Sequence, residues 1–262
     1  MTQRILFLLV FLSTFLSAQQ QNVLCNQEYG TPFVSSRFDN LTVSSSKNIW
    51  GSNEFSDLGN QIDTNTDDYS SAGGFLGMDA SIRVTDNNDT YPAGTYAGYE
   101  YNIVNVSIGY IGTVTVSTYK NGVKQESQSF TSANIIEVNG RMRSGFKTTK
   151  DFDAIEVRYQ AAAAGIPTFR AFGAFVNKNC PSAPLACNQP TAMVRPAFAA
   201  YIDDSKTGIS GLNVGGVLNA KAVVDQDTNN FASLTNVVSV AGSAFLAVKD
   251  ESQSYPAGTY AG

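Results

Sequence analysis

Residues 113–130 read TVTVSTYKNGVKQESQSF, and this stretch decides the fold class. Its first half alternates valine with threonine or serine, the pattern of a strand whose successive side chains point to opposite faces. Asn121-Gly122 stands between the two halves. This pair suits a two-residue type I′ turn, because both central residues of that turn need a positive φ. The stretch therefore predicts an antiparallel β-hairpin.

Similar segments, rich in β-branched and aromatic residues, occur on both sides of the hairpin. The predicted strands are ASIRVT (80–85), YEYNIVNVSI (99–108), TVTVSTY (113–119), AIEVRYQ (154–160) and FRAFGAFV (169–176). AAAAG at 161–165 is interpreted as a loop or a single turn. Short strands without an amphipathic helix predict an all-β chain, an antiparallel two-sheet sandwich of jelly-roll type.

Two motifs occur twice in the chain. YPAGTYAG stands at 91–98 and again at 255–262, and CNQ stands at 25–27 and again at 187–189. The spacing predicts a tandem array with one complete copy (22–180), a linker (181–186) and a second, truncated copy (187–262). The chain is thus expected to be the N-terminal fragment of a longer array. A natural end after half a domain is the alternative, and it would leave an unpaired sheet edge.

The first 18 residues are typical of a signal peptide. Arg4 precedes the apolar run ILFLLVFLSTFL (5–16), and Leu16-Ser17-Ala18 supplies small residues for cleavage. The run is short for a membrane span, although a buried helix or membrane anchor is the alternative. We therefore expect a secreted or cell-surface protein without a transmembrane segment after cleavage.

Export makes the three cysteines candidates for disulfide bonding. Cys25 and Cys180 stand at the two ends of the complete copy, so a bond between them is predicted to join its ends. Cys187 begins the second copy, and its partner would lie in the strands that the truncated copy lacks.

Charge and motifs exclude several classes of function. The net charge is −5 and only 15% of the 262 residues are charged, so no basic surface is expected to bind nucleic acid. The chain has no histidine for general base catalysis, no Gly-x-Ser-x-Gly motif and no phosphate-binding glycine loop. We therefore predict that the chain is not an enzyme.

Two acidic loops are candidates for structural calcium sites. Each places side-chain oxygens at positions one, three and five, the spacing at which a tight loop directs hard ligands toward one calcium ion. The candidate ligands are Asp63, Asn65, Asp67 and Asp68 in the first copy and Asp225, Asp227 and Asn229 in the second. The alternative is that these Asp and Asn side chains only cap turns.

Two further features have open interpretations. The cluster Asp86-Asn87-Asn88-Asp89 is interpreted as a solvated turn, or as a second source of ligands for the first acidic loop. In the octet, Tyr91-Pro92-Ala93-Gly94 predicts a turn that leads into a strand. Its tyrosines are expected to pack in the core, and a tyrosine-lined groove for sugars or peptides is the alternative.

The runs IDTNTDDYS to TYPAGTYAG and VVDQDTNNFA to SYPAGTYAG resemble repeat modules of large secreted or surface proteins of Bacteroidota. The two acidic loops, 63–69 and 225–231, also resemble the early loop of discoidin-like domains. That resemblance implies a jelly roll with its ends joined by a disulfide, and in some members calcium and glycan binding. The chain departs from the pattern at Thr64 and Gln226, where glycine is usual, and at Tyr69 and Phe231, where tryptophan is usual.

Together these features predict a noncatalytic adhesive or scaffolding module of a secreted, repetitive surface protein. Duplication favours such a role, because linked weak sites raise avidity without new contacts. The alternative is a carbohydrate-binding module of an extracellular enzyme whose catalytic part lies elsewhere. The expected partners are cell-surface or matrix glycans, or other surface proteins.

Overall fold

The computed structural model describes residues 23, 25–27, 30–47, 53–74, 78–106, 112–131, 136–138, 141–161, 165–186, 189–203 and 206–259. These residues form fifteen strands and two short 3-10 helices, over Leu58–Gln61 and Ala220–Val223, and no α-helix. The strands form an antiparallel β-sandwich, so the predicted fold class is confirmed. The predicted signal peptide and Cys187 lie outside the described residues.

The smaller sheet contains five antiparallel strands in the order β2-β4-β10-β6-β7. They span Leu41–Lys47 (β2), Met78–Asp86 (β4), Ala154–Ala161 (β10), Gly112–Lys120 (β6) and Val123–Thr131 (β7). The predicted hairpin joins β6 to β7. Asn121 and Gly122 have φ values of 50° and 76°, and Lys120 pairs with Val123, which confirms a turn with two positive φ values.

The larger sheet has the order β1-β11-β5-β9-β8-β13-β14, and β3 also pairs with β11. Its strands span Thr31–Pro32 (β1), Ser70–Gly73 (β3), Tyr96–Val106 (β5), Ile136–Val138 (β8), Arg141–Lys147 (β9), Gly165–Asn177 (β11), Gly208–Leu218 (β13) and Ser233–Phe245 (β14). β13 joins this sheet through one parallel pair, Leu218 with Glu137, and its other pairing in the sheet is antiparallel.

The core lies between the two sheets and consists of alternate residues from their strands. Tyr159 of β10 stacks on Phe169 of β11 with ring centroids 5.1 Å apart, and Tyr101 of β5 stacks on Phe169 at the same distance. Tyr91, Tyr96 and Tyr99 are also buried. Tyr91 of the first octet packs in this core as expected, whereas Tyr96 is buried outside it in a cluster with Phe175 and Tyr201, and Tyr255 of the second octet is half-buried. Burial of such rings is a large part of what stabilises the sandwich.

The ends of this sandwich meet at a disulfide between Cys25 and Cys180. Asn26 is buried beside it with a φ of 48°, in the left-handed region that asparagine tolerates. The Cys180 N–H donates to Asn26 Oδ1 at 3.0 Å. The predicted bond thus closes the N-terminal region, which we define as residues 23–180.

The C-terminal region, residues 181–259, is built from fewer strands. The β13–β14 hairpin carries its longest pairing, and β12 (Ala200–Ile202) pairs with β15 (Val248–Asp250). Several of its large apolar side chains are exposed, among them Phe231, Leu234 and Phe245. In the described part of the chain, no helix has the length and apolar character needed to cross a membrane.

Candidate ligand-binding site

An open pocket lies on the outer face of the larger sheet, and we name it the sheet-face pocket. Its volume is about 460 Å³. Its floor comes from β5, β9 and β11, and its rim comes from the first acidic loop and the segment after β1. The pocket is lined by Pro32, Phe33, Val34, Asn60, Gln61, Asp63, Asn65, Thr66, Asp67, Glu100, Arg141, Arg143, Phe172, Gly173, Ala174 and Phe175.

Charged side chains form one part of the floor. Glu100 of β5 and Arg143 of β9 are directly opposite each other in the sheet, so they lie on the same face. Arg143 Nε is 3.0 Å from Glu100 Oε1, and Arg141 Nη1 is 3.6 Å from Glu100 Oε2. One carboxylate therefore holds two guanidinium groups beside each other.

Aromatic rings support the two arginines. The guanidinium carbon of Arg141 lies 4.0 Å from the ring centre of Phe172, and that of Arg143 lies 4.0 Å from the ring centre of Phe175. Phe172 stands where the β11–β5 register shifts, between Ala171 and Gly173. The bulge shifts the alternation of β11, so that Ala171 and Ala174 both face the core and Phe175 joins Phe172 on the outer face. The arginines are thus fixed by stacking as well as by charge.

Gln61 anchors the rim of the pocket to the floor. Its Nε2 donates to the Ala171 carbonyl at 2.8 Å, and its Oε1 accepts from the Tyr99 hydroxyl at 2.5 Å. Gln61 ends the 3-10 helix, and the first acidic loop follows directly. The buried glutamine therefore determines where that loop stands relative to β11.

The first acidic loop is held by side-chain caps of the kind expected for a turn. The Asn65 N–H donates to Asp63 Oδ1 (3.0 Å), and the Asp67 N–H donates to Asn65 Oδ1 (3.2 Å). Asn65 Nδ2 also donates to Asp68 Oδ2 at 3.2 Å. Arg141 then joins the loop to the floor, because its Nη2 lies 2.6 Å from Asp67 Oδ1.

The second acidic loop repeats this pattern. The Asp227 N–H donates to Asp225 Oδ1 at 3.0 Å, and the Asn229 N–H donates to Asp227 Oδ1 at 2.9 Å. Asn230 Nδ2 donates to Asp225 Oδ2 at 2.8 Å. Both loops are therefore organised by side chains that accept backbone N–H groups.

The hydrogen bonds of both loops match the turn-capping interpretation. Among the described residues, no group of three or more acidic, cysteine or histidine side chains is placed to hold a metal ion. Calcium binding by Asp63, Asn65, Asp67, Asp68, Asp225, Asp227 and Asn229 stays a prediction.

The cluster at 86–89 lies elsewhere and forms a turn of its own. Asp86 Oδ1 accepts the Asn88 and Asp89 N–H groups, and Asp86 Oδ2 accepts the Tyr91 hydroxyl at 2.7 Å. Asn87 Nδ2 donates to the Asn40 carbonyl. Burial and the bond to Asp86 raise the pKa of Tyr91. These contacts tie the cluster to the octet and to the start of β2.

A similar arrangement of charges and rings occurs on the outer face of the smaller sheet. Arg83 Nη2 is 2.8 Å from Glu156 Oε2, and its guanidinium lies 3.4 Å from the ring centre of Tyr119. The Tyr119 hydroxyl donates to Glu156 Oε1 at 2.8 Å, and burial together with this bond raises the pKa of Tyr119 to about 12. Arg83, Glu156 and Tyr119 do not line the sheet-face pocket, so they provide a matched control for it.

The acidic-loop motif marks the rim of the pocket in the sequence, whereas no motif marks its floor. Asp63, Asn65 and Asp67 stand in the sheet-face pocket, whereas Glu100, Arg141, Arg143 and Phe172 carry no motif. Arginines two residues apart in RMRSGFK, and a glutamate among the tyrosines of YEYN, were the available signal. Period two places each set on one face, but which strands become neighbours is decided by distant pairing.

No protein-family model matches the chain, and no curated protein matches it. Solved structures give weak likenesses. A variant of the lectin binding domain of Lectinolysin in complex with Lewis b shares 17% identity over 53% of this chain and 92% of that chain, with a TM-score of 0.33. TmCBM61 in complex with β-1,4-galactotriose shares 12% identity over 54% and 90%, with a TM-score of 0.28.

An enzyme domain is similar to this chain to about the same degree. The enzymatically active domain of tailspike protein 4 of bacteriophage CBA120 shares 11% identity over 58% of this chain and 22% of that chain, with a TM-score of 0.35. Likenesses at these scores support no conclusion about ligand or activity. The function proposed for this chain rests on its own geometry.

Proposed function

We propose that this chain is a noncatalytic glycan-binding module of an exported protein, and that the sheet-face pocket is its binding site. The observation that carries the proposal is the floor of the pocket, where Glu100 holds Arg141 and Arg143 against Phe172 and Phe175. The wider adhesive role predicted from the sequence would then be exercised through glycans.

The chemistry of the floor suits a sugar. Sugar hydroxyls both donate and accept hydrogen bonds, and an adjacent carboxylate and guanidinium offer both partners with stronger bonds than neutral groups give. The half-buried Phe172 ring supplies apolar contact for the C–H face of a sugar, whereas the Phe175 ring is buried between Arg143 and Tyr96 and supports the floor. A few fixed polar groups in a concave surface with aromatic walls are what a small-ligand site requires.

The charge of the pocket favours a neutral ligand. Asp63, Asp67 and Glu100 contribute three carboxylates, against the two guanidinium groups of Arg141 and Arg143. A polyanion would meet a net negative surface, in a chain that itself carries a net charge of −5. Neutral oligosaccharides therefore fit better than nucleic acids or heavily sulfated polymers.

Export and multiplicity complete the proposal. The predicted signal peptide and the Cys25–Cys180 disulfide suit an oxidising compartment outside the cytoplasm. Repeated modules would raise the avidity of individually weak sites when several engage one glycan-bearing surface. Attachment is therefore favoured over catalysis.

Binding of neutral oligosaccharides to the full chain tests the proposal, measured by isothermal titration calorimetry. The panel should include Lewis b, β-1,4-galactotriose and cello-oligosaccharides. Arg141→Ala removes a charged hydrogen-bond donor worth about 1.5–3 kcal/mol, so we expect affinity to fall at least about tenfold.

Arg83→Ala is the matched control. It removes an arginine that also pairs with a glutamate and stacks on an aromatic ring, but on the other sheet, so we expect unchanged affinity. An absence of saturable binding to the whole panel would overturn the proposal and favour a purely scaffolding role. Equal losses from Arg141→Ala and Arg83→Ala would show that the pocket is not the site.

A further inference from the structure

The C-terminal region covers part of the N-terminal region at the disulfide end of the larger sheet. Tyr201 stacks on Tyr96 of β5 with ring centroids 4.9 Å apart, and Tyr96 stacks on Phe175 of β11 at 6.3 Å. Ala199 completes this cluster, and all four residues are buried. An apolar contact thus joins two parts of the chain that are about a hundred residues apart in sequence.

Arg195 forms a second part of the contact. Its guanidinium carbon lies 3.8 Å from the ring centre of Tyr201 and its Nη1 donates to the Gln27 carbonyl. Asn26 Nδ2 donates to the Pro196 carbonyl at 3.2 Å. Asn26 is also the residue that binds Cys180, so the contact is built directly on the closed end of the sandwich.

A third part is an ion pair at the edge of the contact. Lys147 Nζ lies 3.3 Å from Glu251 Oε2 and donates to the Glu251 carbonyl at 2.8 Å. The Glu251 side chain is 11% exposed. A hydrogen bond to a charged group that is shielded from water contributes more to stability than an ion pair on the surface does.

We infer that this contact is a docking surface for the adjoining repeat. The surface is defined by Asn26, Gln27, Tyr96, Lys147 and Phe175, and its occupant is the segment 195–201 together with Glu251. Tyrosine and arginine anchors in a buried centre, with a charged rim, are the features of a specific interface. The two regions then move as one body, and the inference does not depend on glycan binding.

The consequence for an array is a fixed spacing between successive modules. A flexible linker would let neighbouring modules turn freely, whereas docking at the disulfide end sets their relative orientation. Phe175 lies in both the docking surface and the sheet-face pocket. Docking therefore also holds one wall of that pocket in place.

The test uses the full chain with Tyr201→Ala and its matched control, Tyr201→Phe. The Tyr201 hydroxyl is buried without a hydrogen-bond partner in the described part of the chain. Phenylalanine at this position therefore keeps the ring contacts with Tyr96 and Arg195. For Tyr201→Ala we expect a larger radius of gyration by small-angle X-ray scattering. We also expect at least about tenfold faster hydrogen exchange in residues 195–203. Tyr201→Phe should match the parent in both measurements.

A second variant changes the N-terminal side of the contact, in case Tyr201→Ala unfolds the C-terminal region. Lys147→Ala changes only the N-terminal region, and we expect faster exchange in residues 249–253. Lys150→Ala, a lysine close in sequence that bonds to the Gln125 carbonyl, should leave that segment unchanged. Unchanged exchange at 249–253 in Lys147→Ala would overturn the inference, as would unchanged scattering in a folded Tyr201→Ala chain.

Discussion

The N-terminal and C-terminal regions share sequence motifs but differ in burial. Val84 and Val248 occupy the same place seven residues before the octet tyrosine, at 91 and at 255. Val84 is 0% exposed, whereas Val248 is 38% exposed. Val84 lies in β4, which pairs with both β2 and β10, while β15 pairs with β12. The difference teaches that burial comes from partner strands and not from the motif.

Local geometry, by contrast, is the same in both regions. Tyr91 donates to Asp86 Oδ2 and Tyr255 donates to Asp250 Oδ2, each at 2.7 Å. Gly94 and Gly258 both have a φ of 92°, and a 3.2 Å backbone bond closes the turn in each case. Turns need only a few consecutive residues, so they form without the surrounding sheet.

The largest effect is expected from removing the disulfide that closes the N-terminal region and has no described counterpart in the C-terminal region. Replacing both Cys25 and Cys180 with alanine should lower its free energy of unfolding by about 5 kcal/mol in the chain-entropy model. The residues are 155 positions apart, so the bond removes much freedom from the unfolded chain. Denaturant unfolding measures the change.

Cys187→Ala is the control, because it leaves the Cys25–Cys180 bond intact and should not change stability. Equal unfolding curves for the parent and the double variant would contradict the role assigned to the disulfide.

The next effect sharpens the contrast in burial. Val84→Ala should destabilise the chain by about 2 kcal/mol, because it removes fully buried apolar surface and leaves a cavity. Val248→Ala should cost less than about 0.7 kcal/mol, since its side chain already meets water. Thermal melting of the two variants compares them, and equal shifts would show that the C-terminal region buries its valine in solution.

The smallest effect concerns the turn before the octet, where Asp89 of one region corresponds to Gln253 of the other. Burial, with the nearby charges of Asp86 and Asp39, raises the pKa of Asp89. An acid whose pKa is raised on folding costs stability above its folded pKa, and the cost disappears as the pH falls toward its unfolded value. Asp89→Gln should therefore stabilise the chain by about 0.3–0.5 kcal/mol at pH 7.

The pH dependence and the reverse exchange test the same point. The gain from Asp89→Gln should largely vanish near pH 3.5, where Asp89 of the parent is mostly protonated in both the folded and the unfolded chain. Gln253→Asp should destabilise the C-terminal region at pH 7, because it places a carboxylate near Asp250. A gain from Asp89→Gln that persists at pH 3.5 would point to packing instead of charge.

The acidic turn of the C-terminal region lacks that repulsion. Burial acts to raise the pKa of Asp250, but hydrogen bonds from Tyr255, Ser252 and Ser182 hold it below its usual value. The stability that these bonds contribute is present above the unfolded pKa and is lost as the pH falls through the folded pKa. Asp89 and Asp250 thus change the stability in opposite directions as the pH falls.

Much of the fold was predictable from short-range signals. The Asn121-Gly122 turn, the strands around it and the turn of the octet all follow from residues close in sequence. The Cys25–Cys180 bond followed from the predicted signal peptide together with the position of the motifs. These predictions succeeded because each depends on a local conformation or, for the disulfide, on where the cysteines stand relative to the repeated motifs.

The candidate site was less predictable. Asp63 and Asp67 were singled out as candidate calcium ligands, which stays a prediction, and the structure places both at the rim of a pocket, where Asp63 caps a turn and Asp67 pairs with Arg141. The pairing of Arg143 with Glu100 depends on β9 lying beside β5, and the position of Phe175 on the same face as Phe172 depends on a bulge in β11. Neither a register between strands about forty residues apart nor a bulge leaves a local pattern in the sequence.

The sequence by itself determined that the chain would be all-β, where it would turn and which cysteines could close it, because periodicity and turn chemistry act over a few residues. Only the tertiary structure decided which outer face would gather two arginines and a glutamate. It also decided which of the two equivalent valines would be buried and which surface the C-terminal region would contact. Those outcomes depend on long-range strand pairing, and its free energy is spread over many contacts.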